Sequence, residues 1–125
     1  MTGFDLKVLE YIRTKDIIGV RSGKNRTKFT GIWMVEVDGR IFARSYSLSE
    51  RSWYITFIAE KEGSIRCGKL IAAVKGSKPR DLSSLTPLIN SAYEKKYANR
   101  AHNKKWVDGL NQPERIAKTM EFIPA

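Results

Sequence analysis

The sequence predicts a mainly-β α+β domain in which five or six short strands form a small barrel beside about three helices. Three observations predict it: β-branched and aromatic runs separated by turn residues, an Asp-Gly pair between two such runs, and three segments with apolar residues at helical spacing. At 125 residues, 42% of them hydrophobic, the chain is long enough for one domain with its own core. We therefore expect residues 1–125 to form a single domain.

The chain begins with a predicted helix and strand. Apolar residues at helical spacing predict a helix over residues 4–13, and a run of Ile and Val predicts a strand over residues 16–21. The Ser-Gly-Lys-Asn sequence of residues 22–25 then predicts a turn.

A long hairpin follows. Asp38-Gly39 is the strongest two-residue hairpin signal in the chain, and it joins predicted strands over residues 26–37 and 40–46. A two-residue turn pairs Val35 with Phe42, Trp33 with Arg44, and Gly31 with Tyr46. Both faces of this hairpin are apolar, so we expect one to fill the barrel and the other to need a helix, a ligand or a second subunit.

The second helix has a defined start in the sequence. We expect Ser49 to be its N-cap, because Leu48 before it and Trp53 after it then form a hydrophobic staple. Apolar residues continue from Trp53 at helical spacing.

The rest of the chain predicts one more hairpin, a third helix and a last strand. Residues 64–67 and 70–75 pair across Gly68-Lys69. Thr86 is the expected cap of the third helix, with Pro87 at its first position. Residues 120–123 can close the barrel as a short strand.

The charge of the chain indicates an anionic partner. The formal net charge is +10, which favours nucleic acid, an acidic lipid or a phosphorylated small molecule. One His and one Cys exclude a Cys/His zinc site built from one chain. We expect a cytoplasmic protein that does not cross a membrane, because no signal peptide or long apolar run is present.

Two arginines and two serines surround the predicted junction between the return strand and the second helix. They are Arg44, Ser45, Ser49 and Arg51. Guanidinium groups, hydroxyls and the N–H groups of a helix start all favour a bound phosphate. Residue types alone leave an alternative open, in which Ser49 only caps the helix and Arg51 is solvated.

Several segments resemble flavin-binding proteins. Residues 21–27 resemble the loop of deazaflavin-dependent nitroreductases, and residues 39–52 resemble the FMN-phosphate segment of pyridoxamine-phosphate-oxidase-like proteins. The chain is most similar to a bacterial domain-of-unknown-function family grouped with the FMN-binding split barrels. The similar segments are Ile-Trp-Met-Val at residues 32–35, Arg44-Ser45, Trp53, Ala-Tyr-Glu-Lys-Lys-Tyr at residues 92–97, and residues 113–124.

The resemblance implies a six-stranded split β-barrel that forms a homodimer and binds FMN or a deazaflavin. It implies phosphate ligands at Arg44, Ser45, Ser49 and Arg51, with Lys28 or Arg26 on the neighbouring strand. It also implies that Trp33 lies near the cofactor ring or the dimer seam.

Three functions remain open. The first is a flavin- or deazaflavin-dependent oxidoreductase of unknown substrate, in which the cofactor supplies the chemistry. The second is a non-catalytic module that binds a phosphorylated ligand. The third is a basic nucleic-acid-binding barrel, in which Trp33, Phe42, Tyr46 and Trp106 stack on bases. No catalytic residue is predicted.

Overall fold

The computed structural model describes residues 4–23, 27–49, 52–98 and 101–125. Its α-helices are α1 (Leu6–Thr14), α2 (Trp53–Glu60), α3 (Leu82–Tyr97), α4 (Lys104–Leu110) and α5 (Pro113–Ile116), and a short 3-10 helix, Ala101–Asn103, precedes α4. Its strands are β1 (Ile18–Ser22), β2 (Thr30–Ile32), β3 (Val35–Val37), β4 (Arg40–Arg44), β5 (Glu62–Cys67), β6 (Leu70–Ser77) and β7 (Thr119–Pro124). The predicted mainly-β α+β class is confirmed.

The strand and helix numbers differ from the prediction. The described residues form seven strands and five α-helices, instead of six strands and about three helices. The extra strand arises because the predicted strand over residues 26–37 is divided into β2 and β3. The extra helices, α4 and α5, have only seven and four residues, too few for a hydrophobic period to be recognised.

The sheet closes on itself because of how its two edges are connected. All pairings are antiparallel in the order β2-β1-β5-β6-β7-β4-β3, and the edge strands β2 and β3 are joined only by Trp33 and Met34. Laid flat, seven strands would hold the edges about 29 Å apart. Three Cα–Cα steps reach at most about 11 Å. The sheet therefore curls into a half-barrel, with Trp33 and Met34 where its edges meet.

The Asp38-Gly39 hairpin is only partly paired as predicted. Asp38 and Gly39 both have positive φ, as a type I′ turn requires, and Val35 pairs with Phe42. The other two predicted pairs are wrong: Trp33 lies outside β3, whose pairing with β4 ends at Val35 and Phe42, and Gly31 pairs with Gly19 of β1.

Two tyrosine hydroxyls explain why the hairpin ends early. The backbone N–H of Met34 donates to Tyr97 Oη at 3.0 Å, and that of Arg44 donates to Tyr93 Oη at 2.9 Å. Side chains of α3 therefore take hydrogen bonds that a strand partner would otherwise take. The chain is free to leave β4 at Met34 and to pair with β1 instead.

The half-barrel has an apolar cluster on each side. The inner cluster packs between the sheet, α1 and α2, and includes Ile12, Ile18, Met34, Ile41, Phe57, Ile65 and Phe122. The outer cluster joins Val35 and Phe42 of the hairpin to Ile89, Tyr93 and Tyr97 of α3. The second apolar face of the hairpin is thus covered by a helix of the same chain.

Two helices start at residues other than those predicted. The N-cap of α2 is Ser52, whose Oγ accepts from Ile55 N at 3.4 Å, while Ser49 lies in the preceding turn and accepts from Ser52 N through its carbonyl. Helix α3 begins at Leu82, so Thr86 and Pro87 lie inside it. Among the described residues, no helix is long and apolar enough to cross a membrane.

Candidate active site

A cavity of about 390 Å³ opens between the end of β4, the start of α2, α4 and the strand break at Trp33. Its aromatic lining residues are Trp33, Tyr46, Trp53 and Trp106, and its polar ones are Arg44, Ser45 and Ser47. Among the described residues that line it, Arg44 is the one that carries a charge. The cavity thus combines a single cation with aromatic walls.

Arg44 is a buried side chain whose guanidinium is only partly hydrogen-bonded. It is 2% exposed. Its Nε donates to Thr119 Oγ1 at 3.2 Å, and its Nη1 donates to Leu110 O at 3.2 Å and to Asn111 Oδ1 at 2.8 Å. Its Nη2 has no hydrogen-bond partner within the described part of the chain. One nitrogen of a buried cation is therefore left without an acceptor.

No negative charge balances Arg44 among the described residues. Its three acceptors are all neutral oxygens, and none of the ion pairs formed by the described residues includes it. Burial lowers the pKa of Arg44, but an arginine stays protonated at neutral pH. The guanidinium carbon of Arg44 lies 5.7 Å from the centroid of the Tyr93 ring. A ligand anion at this wall gains an attraction that the described residues do not already satisfy.

The serines beside Arg44 fix the shape of the turn after β4. Ser45 is fully buried, its N–H donates to Lys118 O at 3.3 Å, and its Oγ donates to Ser47 O at 2.7 Å. Ser47 Oγ in turn accepts from Ser49 N at 3.2 Å. The hydroxyl proton of Ser47 is then available to a ligand, since that oxygen acts as the acceptor in this bond.

The aromatic side chains that line the cavity are held by contacts with other rings and, at Tyr46, by an arginine. The ring of Tyr46 meets that of Trp106 edge to face, with centroids 5.2 Å apart. Arg115 fixes Tyr46 from behind, because its Nε donates to Tyr46 O at 2.8 Å and its guanidinium carbon lies 4.1 Å from the ring centroid. At the opposite wall, Trp53 stacks on Phe122 at 5.9 Å.

Three side chains of α3 hold the strand break that carries Trp33. Tyr93 Oη donates to Trp33 O at 3.4 Å, Tyr97 Oη donates to Asp16 O at 2.6 Å, and Lys96 Nζ donates to Met34 O at 2.6 Å. Lys96 Nζ also donates to the carbonyl of Ile12 in the last turn of α1. In the sequence these residues were recognised only as part of the family motif at residues 92–97. Tyr93, Lys96 and Tyr97 are spaced i, i+3 and i+4, and this spacing indicates that their three polar groups lie on one face of the helix.

Burial shifts the pKa values of these three groups. It lowers the pKa of Lys96 to about 8, partly offset by the nearby carboxylate of Asp16. It raises the pKa of Tyr93 to about 12 and that of Tyr97 further still. Both hydroxyls therefore stay protonated at neutral pH and can act as donor and acceptor at once.

Only part of the predicted phosphate site comes together. Trp33, Arg44 and Ser45 line the same cavity. Ser49 and Lys28 are exposed and do not line it. Arg51 and Arg26 lie outside the described residues.

A larger groove of about 670 Å³ lies between α1, β3 and α3, and three of the charged side chains that line it, Arg13, Glu36 and Lys96, have partners. Arg13 Nη2 lies 2.7 Å from Glu36 Oε2, and this pair lowers the pKa of the Glu36 carboxyl. Lys96 is held by backbone carbonyls. The described residues hold no group of three or more His, Cys, Asp or Glu side chains suited to a metal ion. The Arg44 cavity is therefore the candidate site.

Comparison with known proteins assigns the chain to a family. No curated protein matches it significantly. A family model described as "Uncharacterized protein conserved in bacteria (DUF2255)" matches residues 5–122, which include all of the cavity residues named above. The chain belongs to this bacterial family.

Proposed function

We propose that the chain binds an anionic small molecule with a ring system in the Arg44 cavity. FMN and a deazaflavin are the candidates that the sequence resemblance implies, on a fold of the FMN-binding split-barrel type. The observation that carries the proposal is the buried guanidinium of Arg44, which has a nitrogen without a partner and no balancing carboxylate among the described residues.

The unsatisfied nitrogen gives a ligand oxygen a specific gain. A buried polar group without a partner costs about 1–3 kcal/mol, and more when it is charged. A ligand anion that reaches Nη2 removes that cost. Because Nη2 is shielded from solvent, we expect a small shift of the lining side chains as the ligand enters.

The aromatic walls suit a planar ring. Trp33, Tyr46 and Trp106 offer faces or edges to the cavity, and aromatic rings prefer offset stacking or edge-to-face contacts. When bound, a flavin or deazaflavin ring would supply electron or hydride transfer. The chain would bind the anionic group through Arg44 and orient the ring between these walls. Turnover of a second substrate would depend on that ring, since the described lining residues include no His, Lys or carboxylate that could activate the Ser and Tyr hydroxyls.

The nucleic-acid alternative receives less support from the described residues. Phe42 is fully buried, and Trp33 has one face stacked on Tyr97 and otherwise lines the cavity, so neither is an exposed ring on which a base could stack. Tyr46 and Trp106 remain half-exposed. We therefore place the ligand inside the cavity.

Titration of FMN and of a deazaflavin cofactor, followed by ring fluorescence, tests the proposal. We compare the wild type with Arg44→Gln and with Arg80→Gln, an exposed arginine outside the cavity. Loss of a charged hydrogen bond costs about 1.5–3 kcal/mol, so Arg44→Gln should weaken binding about ten- to a hundredfold, while Arg80→Gln should not. Failure of the wild type to bind either cofactor excludes the flavin candidates.

A thermal melt of the same variants separates binding from stability. Arg44 also ties the end of α4 to the barrel through Leu110 O and Asn111 Oδ1. If Arg44→Gln melts at a lower temperature but binds ligand as tightly as the wild type, Arg44 serves only to hold α4. The proposed function is then wrong.

We also propose that the chain forms a homodimer, and the sequence resemblance is the support for this proposal. The apolar outer face of the hairpin, the other reason to expect it, is covered by α3. Light scattering at micromolar concentration is the test. A monomer that still binds cofactor would refute the dimer and leave the cavity proposal intact.

A further inference from the structure

We propose that the ligand group bound beside Arg44 carries one negative charge, as a carboxylate does, and that the cavity disfavours the dianion of a phosphate monoester. This inference rests on the proposed function and narrows the chemical class of its ligand, so that FMN, a phosphate monoester and mostly a dianion at pH 7.5, becomes the less favoured of the two cofactor candidates. It follows from the charge, the donors and the surroundings of Arg44.

The charge count favours a monoanion. Arg44 is the one charged side chain among the described residues that line the cavity, and its protein partners are neutral oxygens. One carboxylate balances that single positive charge. Against the described residues alone, a phosphate dianion would have one negative charge unbalanced beside aromatic walls, where an unpaired charge is poorly solvated.

The number of hydrogen-bond donors in the described cavity also favours a carboxylate. Within the described part of the chain, the Arg44 guanidinium keeps only Nη2 for a ligand, since Nε and Nη1 are engaged. The backbone N–H groups of Arg44 and Ser45 are used by Tyr93 Oη and Lys118 O. The Ser47 hydroxyl is a further donor. Two donor groups suit the two oxygens of a carboxylate, whereas the three oxygens of a phosphate call for more.

Among the described residues, those that the sequence assigned to a phosphate add no further donor to Arg44 Nη2 and the Ser47 hydroxyl. Ser49 and Lys28 are exposed and do not line the cavity. Helix α2 starts at Trp53 and its cap is Ser52, so the Ser49 hydroxyl does not cap it. The described cavity therefore resembles a site for an aromatic acid more closely than a phosphate cradle.

A matched set of probes with one ring system tests the inference. We compare 2-naphthoate, 2-naphthyl phosphate and the neutral 2-naphthamide by calorimetric titration of the wild-type chain at pH 7.5. We expect naphthoate to bind at least tenfold more tightly than either of the others.

The pH dependence of phosphate binding gives a second measurement. The second pKa of a phosphate monoester is about 6, so its monoanion rises from a few per cent at pH 7.5 to most of the ligand at pH 5.5. Naphthyl phosphate should therefore bind about 20-fold more tightly at pH 5.5, following that fraction. Within the described ranges, the groups that contact Arg44 are Tyr93, Thr119, Leu110 and Asn111, and Tyr93, with a pKa of about 12, keeps its proton throughout. Naphthoate keeps its charge over this range and reports any change in the protein itself.

The outcomes separate this inference from the proposed function. If naphthyl phosphate binds as tightly as naphthoate at pH 7.5, or more weakly at pH 5.5, the single-charge inference is wrong although the anion site stands. If none of the naphthyl probes and neither flavin binds, the proposed function itself fails.

The variant Arg44→Gln adds a check on where the charge is recognised. It should lose the preference for naphthoate over naphthamide, and Arg80→Gln should keep it. Unchanged preference in a folded Arg44→Gln protein overturns the inference. Should that variant not fold, the wild-type comparison of charges and pH values decides by itself.

Discussion

The ring of Trp33 lies parallel to the ring of Tyr97, with centroids 4.2 Å apart and planes 4° apart. This stack joins the strand break between β2 and β3 to the last turn of α3. Trp33 contributes to the wall of the candidate site, and the Tyr97 hydroxyl holds the backbone of Met34 next to it. The wall of the cavity and the closure of the half-barrel therefore depend on the same helix.

The Tyr97 hydroxyl should contribute measurably to stability. Tyr97→Phe keeps the stack on Trp33 but leaves the buried N–H of Met34 and the carbonyl of Asp16 without their partner. We expect a loss of about 1–3 kcal/mol in the free energy of unfolding, measured with urea. The control is Tyr11→Phe, whose hydroxyl makes no hydrogen bond among the described residues, and which should change stability by less than about 0.5 kcal/mol. Equal effects of the two variants would contradict the role of Tyr97.

The cap of α2 can be tested by comparing two serines. Ser52→Ala removes the Oγ that accepts from Ile55 N, so we expect a loss of about 1 kcal/mol. Ser49→Ala should cost less, because Ser49 lies in the turn before the helix. Chemical denaturation of both variants measures the difference. The reverse order would mean that the helix begins at the residue expected from the sequence.

Lys96 should make stability depend on pH in the alkaline range. Burial lowers its pKa in the folded chain from 10.5 to about 8, so between these values the unfolded chain binds more protons than the folded one. Wild-type stability relative to Lys96→Met should therefore rise from about pH 8 to pH 10.5 and stay level below pH 8. Asp16 and Cys67, whose charges act on the pKa of Lys96, and the Tyr97 ring, whose centroid lies 4.8 Å from Lys96 Nζ, are present in both proteins. Urea unfolding at several pH values measures the difference, and parallel curves would refute the shift.

Gly63 should be the least replaceable residue of β5. A Cβ added there would lie 2.1 Å from Arg21 O and 2.6 Å from Phe57 Cζ. Backbone and a fully buried ring cannot both move away, so Gly63→Ala should lose about 3 kcal/mol or fail to fold. Gly19→Ala is the control, because its nearest neighbour would be Phe29 Cβ at 3.1 Å. A Gly63→Ala protein as stable as Gly19→Ala would show that β1 and β5 can separate at this point.

Local sequence determined several features. Asp38 and Gly39 can both adopt positive φ, so their turn and the pairing of Val35 with Phe42 follow from neighbouring residues alone. Neighbouring residues alone also assigned Arg44 and Ser45 to the end of a strand, and hence to the strand side of the junction between strand and helix. Ser49 and Ser52 could not be distinguished in this way, because both are good caps three residues apart and the turn between them decides.

Only the tertiary structure decided the strand break and the chemistry of the cavity. The break at Trp33 and Met34 depends on Tyr97, whose hydroxyl meets Met34 N across 63 positions of sequence. The partners of Arg44 at Leu110, Asn111 and Thr119 lie 66 to 75 positions away. Which of its nitrogens is left without a partner among the described residues therefore depends on how α4 and β7 pack. Local propensity carries no information about contacts between segments this distant, since they form only when the sheet has curled and buried them.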